Sequence, residues 1–356
     1  MNRLVSADVV TPAVVVDAET LAEKVRAVRS RFAAGGQVWC PVLTAETKGI
    51  WGGIAEFRRL PVATARPEFL EQLISCSIND VDLTVPVAGA GIDLIAKACN
   101  SSRVTAVCDH YFQAESLSTA CERLGILCDV LVEVRVQPQT LGIRPGPDLM
   151  ELVRGVCSLT GIRLAGIRAD LRSRETREAV NRPDDPDSNT KRIALITAQA
   201  DELRRHGFAC GRVVVATNAR HESTESDGVT DFHQHDWLHV LSADPDSDGA
   251  SREDSPLTLL ATVISRPRLD LAVLDVGIRH LGSVAMFPDG LMSTAHGHVL
   301  AESRFCTFED ESAAVELGPG SRDLVIGDRV LIKPVAGWTP SRDLGLVFRR
   351  DAEEVT

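Results

Sequence analysis

The sequence predicts a (β/α)8 barrel of the TIM type followed by a smaller all-β domain. Three observations predict it. Short strand-like segments alternate with helical ones through the first two thirds of the chain. The first of them, which opens the stretch Val38 to Trp51 and runs out at Thr44, is apolar on both faces (Val38, Trp39, Val42, Leu43), as suits a parallel strand covered on both sides. Beyond a polar Asp/Ser/Pro-rich insert at 244–256 the helical pattern stops and only strands follow.

In order, Thr11-Pro12 leads into AVVV, and Asp17 offers a helix N-cap before ETLAEKVRAVRSRF. Leu21, Val25, Val28 and Phe32 give that helix one apolar face, and Gly35-Gly36 ends it. Strands are expected at 38–44, 60–65, 80–87, 103–109, 128–136, 163–170, 212–218 and 237–243. Helices are expected at 49–59, 67–77, 90–100, 112–124, 147–159 and 190–207. A polar stretch at 182–191 reads as a long loop after the sixth strand. The expected domains are a barrel over 8–254 and a β-domain over 255–356, with residues 1–7 as candidates to join the latter.

Composition narrows the function. A net charge of −12 argues against a nucleic-acid partner. No window approaches the roughly 18 apolar residues of a transmembrane helix, and MNRLVSADVVTP lacks the apolar core of a signal peptide. The nine cysteines are scattered without a C-x-x-C pair, and Cys40, Cys99, Cys128 and Cys157 lie in apolar stretches. A reducing, cytoplasmic setting is the expectation.

In such a barrel, chemistry sits past the C-terminal strand ends. Thr44, Glu46 and Lys48 occupy that place after the first strand. Lys48 is either a catalytic amine or a solvated lysine at a helix start. Asp109 and His110 follow the fourth strand, and Arg135, Arg172 and Arg220 follow or end the fifth, sixth and seventh. The arginines either converge on an anion or pair with Glu133, Asp170 and Glu222 on the rim. His221, His233, His235 and His239 cluster near the expected eighth strand and read as structural histidines of a polar loop, with metal binding the sharper alternative. His296-Gly297-His298 reads as a turn or a catalytic step.

Several stretches in fixed order resemble the D-threonine aldolase and D-serine dehydratase family, grouped with alanine racemase among fold-type-III pyridoxal phosphate (PLP) proteins. They are TPAVVVDAETL, ATARPEFLEQLISCSINDVDLTVPV, AVCDH, DVLVEVRVQPQTLGIRPG, LLATVISRP, AVLDVGIRHLGS, AHGHVL and GDRVLIKP. The resemblance implies an alanine racemase N-terminal-like barrel, a homodimer, and a lyase acting on a D-β-hydroxy amino acid. It also implies PLP on a lysine three positions after a proline. Here Thr44 stands three positions after Pro41, and Lys48 lies one residue beyond the place of the family run's second lysine. The family's Y-x-G-H reads Ala169-Asp170-Leu171-Arg172, and the aspartate of its E-V-D reads Arg135. Its glycine-rich phosphate cradle reads Ala216-Thr217-Asn218-Ala219. Its H-x-C metal pair is expected where Val335, Ala336, Gly337 and Trp338 stand, and no histidine occurs after His298 and no cysteine after Cys306.

The expectation is thus a divergent homologue without covalently held PLP and without a metal. It would bind an amino-acid-like or phosphate-bearing anion through Arg135, Arg172, Thr217, Asn218, Arg220, Asp109 and His110. The alternative is an active PLP lyase using a displaced Lys48.

Overall fold

A computed structural model describes residues 9–32, 37–41, 60–137, 141–171, 186–217, 228–234, 256–281, 292–333 and 344–349. It divides into two compact units. Strand β1 (Ala13–Asp17) precedes helix α1 (Ala18–Phe32), and the Asp17 carboxylate accepts from Thr20 N–H at 3.0 Å. The N-cap read from sequence is therefore in place.

The first unit is a closed barrel of eight parallel strands in chain order. They are β2 (Gln37–Pro41), β3 (Val62–Thr64), β4 (Asp80–Leu83), β5 (Arg103–Cys108), β6 (Cys128–Glu133), β7 (Ile162–Asp170), β8 (Arg212–Thr217) and β9 (Asp231–Gln234). Helices α2 (Leu70–Ser75), α3 (Ala90–Cys99), α4 (Tyr111–Leu124), α5 (Pro147–Cys157) and α6 (Pro186–Arg205) alternate with them. Each strand sends alternate side chains to opposite faces. In β6 Cys128, Val130 and Val132 share one face, and Leu131 and Glu133 share the other, all buried. Among the inner residues Val107, Leu131 and Val214 meet as an apolar cluster. Among the described residues no helix is long and apolar enough to cross a membrane.

The eighth strand corrects the sequence reading. It is β9, the polar DFHQ at 231–234, and the segment 237–243 lies outside the described residues. Apolar runs point to strands only where a barrel interior is apolar. Here Asp231 and His233 alternate with Phe232, and all three are buried. The expected helix at 49–59 also lies outside the described residues.

The second unit is an eight-stranded, mostly antiparallel sheet built on β10 (Leu257–Arg268). Its other C-terminal strands are β11 (Leu271–Leu274), β12 (Met292–Thr294), β13 (Arg304–Phe308), β14 (Ala313–Glu316), β15 (Arg329–Ile332) and β16 (Gly345–Arg349); a short helix, α7 (Ile278–Leu281), follows β11. The order is β12-β15-β10-β11-β14-β13. Register shifts at Val263, Ser265 and Arg268 let one long strand pair with β15 in its first half and β11 in its second. The sheet also takes β1, antiparallel to β10 and parallel to β16. AVVV, which the sequence placed at the front of the barrel domain, is therefore a sheet strand whose four residues are all buried. Within this unit the Thr11 hydroxyl donates to Asp275 Oδ2 at 2.5 Å. His296-Gly297-His298 is an exposed turn, with Gly297 at φ 85° and its N–H donating to Thr294 O at 2.8 Å.

Candidate functional site

The barrel interior carries a column of paired charges beside its apolar cluster. At the strand starts, Arg212 opens β8 and Asp231 opens β9. The Arg212 guanidinium donates to both oxygens of Asp82 (3.1 and 2.6 Å) and both of Asp231 (3.2 and 3.0 Å). Its plane lies 4.7 Å from the Trp39 ring centroid, and Trp39 Nε1–H donates to Asp231 Oδ1 at 2.7 Å. Burial acts against the charge on Arg212, and the two carboxylates outweigh it and raise its pKa.

One level up, His233 links this group to Arg168 on β7. Arg168 Nε–H donates to His233 Nδ1 at 3.3 Å, and His233 Nε2 lies 2.9 Å from Asp82 Oδ2. Nδ1 accepts, so the ring proton is on Nε2 and is given to Asp82. Burial lowers the His233 pKa, against the pull of Asp82, and keeps the ring neutral. Burial also pushes against ionisation of Asp82, but the hydrogen bond from His233 and the charge of Arg212 hold it below the ordinary carboxylate value.

At the upper end, Arg168 forms an ion pair with Glu133, its register partner across β6 and β7. Both are about 1% exposed. Burial pushes the Glu133 carboxyl up to about 7, against the opposing charge of Arg168, and Asp170 and Asp109 add to the rise. Among the described residues, Arg168 Nη2 is buried without a hydrogen-bond partner.

The strand ends above this pair carry the described candidates. Residues 141–143 cross β6 after its last residue: Ile143 N–H donates to Glu133 O at 2.9 Å and Arg135 N–H to Ile143 O at 2.8 Å. Only glycine fits between them. Gly142 has φ 114°, and a Cβ there would stand 2.7 Å from Arg135 N and 2.8 Å from Val134 C. This clamp fixes the Arg135 backbone. Its side chain is half-buried, and among the described residues no carboxylate pairs with it. Glu133, the rim partner expected for the arginines, is taken by Arg168 instead, because both point into the barrel at one level.

Asp109 and His110 serve local structure. Asp109 accepts from Gln113 Nε2 at 3.0 Å and Gly142 N–H at 3.2 Å, joining the start of α4 to the clamp. His110 caps α4, its Nδ1 accepting from Phe112 N–H at 3.2 Å. Thr217 ends β8, and its side chain is buried. Thr44, Lys48, Arg172, Asn218, Arg220, His221, His235 and His239 lie outside the described residues.

Both nitrogens of His233 are engaged, so this member of the histidine cluster is not offered to an ion. Among the described residues no group of three or more His, Cys, Asp or Glu is arranged to hold a metal. Sequence reasoning missed Asp82, Arg168 and Arg212. The available signal was a charged residue at an alternate position of an otherwise apolar strand, as in DVDL, GIRAD and RVVVAT.

A closed parallel barrel with a separate curled sheet is the architecture of alanine racemase-like, fold-type-III proteins. A D-threonine aldolase from Filomicrobium marinum superimposes with a TM-score of 0.69 at 21% identity, covering 93% of this chain and 88% of that one. D-threo-3-hydroxyaspartate dehydratase from Delftia sp. HT23 gives 0.69 at 17% identity, covering 93% and 91%. Residues 256–335 match the putative serine dehydratase domain. A D-threonine aldolase from Arthrobacter sp. is 27% identical over 298 residues, 78% of this chain and 72% of that protein. The chain is thus similar to D-threonine aldolase over most of its length, and its residues 256–335 resemble the putative serine dehydratase domain.

Proposed function

We propose that this chain binds a small amino-acid-like anion at the C-terminal mouth of its barrel and does not hold PLP covalently in the manner of its relatives. The observation that carries this reading is Arg135. Its guanidinium is free of carboxylates among the described residues, and its backbone is clamped at the end of β6 where the resemblance puts an aspartate. A guanidinium in that position favours a carboxylate or phosphate. Arg172 and Arg220, which follow β7 and β8 in sequence, would add to the same field, with Thr217 and Asn218 as neutral donors.

The residues at the cofactor positions do not fit PLP as the family holds it. Thr44 stands at the lysine position and cannot form an imine. Ala216 and Thr217 stand in the cradle, both with buried side chains, so the described part of it lacks the bare backbone that glycines offer a phosphate. Ala336 and Trp338, at the expected metal positions, offer neither imidazole nor thiolate.

The relation to D-threonine aldolase favours a second reading, an active PLP lyase on a D-β-hydroxy amino acid that uses Lys48. One experiment separates the two. Purified protein is mixed with PLP, its spectrum recorded, and the sample reduced with borohydride for peptide mapping. The binder reading expects no band near ~420 nm and no pyridoxyl adduct on Lys48. A stoichiometric adduct on Lys48 would overturn it in favour of the lyase. Assembly as a homodimer in the cytoplasm belongs to the same proposal, and light scattering tests the dimer.

A further inference from the structure

Outside the barrel interior, three cysteines distant in sequence meet between the β-strands and the helical layer. Cys99 ends α3, Cys121 lies in α4 and Cys128 opens β6. Cys99 Sγ and Cys128 Sγ both donate to one acceptor, the carbonyl of Val104 on β5, at 3.8 and 3.6 Å. Interaction with Cys121 and Cys99 also raises the Cys128 pKa. Cys121 and Cys128 are fully buried, while Cys99 is half-buried and so reachable from solvent. The inner-face alternation of β6 sets this up. Glu133 and Leu131 point into the barrel, so Cys128 points out to where α3 and α4 pack against each other.

We propose that Cys99, Cys121 and Cys128 form an oxidation site, in which a hydroperoxide converts Cys99 and Cys128 to a disulfide. The Cys99 thiolate attacks the outer peroxide oxygen. The O–O bond breaks, the alcohol or water leaves, and Cys99 becomes a sulfenic acid. Cys128 sulfur then attacks the Cys99 sulfur, the S–O bond breaks, and hydroxide departs with the Cys128 proton as water. Two thiols lose two electrons, and one peroxide gains them. The site is independent of the reading of the barrel mouth.

The test uses the full chain in a C157S/C306S background, which removes the two exposed thiols. After a small molar excess of hydrogen peroxide, non-reducing peptide mass mapping is expected to show a Cys99–Cys128 cross-link, reversed by dithiothreitol. The C99S variant, altered at a half-buried position, should lose the cross-link and leave Cys128 reduced. In C128A, a sulfenate on Cys99 should persist long enough to be trapped by dimedone, whereas in the parent it should be transient. Cys99 passing to the sulfinic acid without a cross-link would overturn the proposal. So would a cross-link that forms only in urea-unfolded chains.

Discussion

Arg168 Nε–H points at His233 Nδ1 across 3.3 Å, and that contact fixes the histidine as a donor to Asp82 at 2.9 Å. The residue that the sequence offered as a loop histidine or metal ligand is thereby the junction between two buried ion pairs. Replacing it takes one hydrogen-bond partner from Arg168 and one from Asp82, both buried. His233→Ala should cost about 3 kcal/mol, the order expected when one partner of a buried ionic network is removed. Urea unfolding checks this, and a loss below about 0.5 kcal/mol would show that the network is dispensable.

Glu133 predicts a pH dependence with a definite sign. Its folded-state carboxyl is pushed up to about 7 from 4.5. Between those values the unfolded chain has released the proton and the folded chain keeps it, so this group's stabilisation is full below the lower value and lost as pH rises through the upper. His233 works the other way: its lowered folded-state pKa favours the fold above the unfolded value of 6.5 and is lost as pH falls. The Glu133→Gln variant isolates the first effect. Wild-type stability minus that of the variant should fall by roughly 2 kcal/mol from pH 5 to pH 8. A flat difference would mean that Glu133 titrates as an exposed carboxylate does.

Gly142→Ala places a methyl group against backbone atoms at 2.7 to 2.9 Å, at a φ of 114°. Neither the strand nor the crossing loop can yield cheaply. The expected loss is on the order of 2 kcal/mol, seen as a lowered Tm, together with weaker ligand binding because Arg135 loses its clamp.

Arg135→Ala is the converse case. The side chain is half-buried and unpaired among the described residues, so stability should change by less than about 0.5 kcal/mol. Affinity for an amino-acid-like anion, measured calorimetrically, should drop about tenfold, in line with a lost charged hydrogen bond. Unchanged affinity would move the binding site away from β6.

Trp39→Phe keeps the ring against Arg212 but removes the indole N–H that Asp231 accepts at 2.7 Å. A loss of about 1 kcal/mol is expected in thermal unfolding.

Local pattern alone determined much of this protein. Asp17 before an apolar-periodic run caps a helix because its side chain reaches its own next turn, and no distant residue is needed. The βα alternation, the mostly apolar strands from β3 to β8 and the strand-rich C-terminal unit are legible for the same reason: burial on both faces imposes apolar residues on most positions of each strand separately. Tertiary structure decided the rest. AVVV read only as the apolar run before the first helix, and pairing with Leu257 to Leu260 and with residues 345–348 makes it a sheet strand. DFHQ carries no apolar signal, yet it closes the barrel, because Asp231 and His233 are matched by Arg212, Arg168 and Asp82 from strands far away in the chain. Glu133 was free in sequence to pair with any arginine, and register gave it Arg168, so that among the described residues no carboxylate pairs with Arg135. A charge's partner is set by which side chains share a level inside the closed barrel, a property of the assembled strands and of no strand by itself.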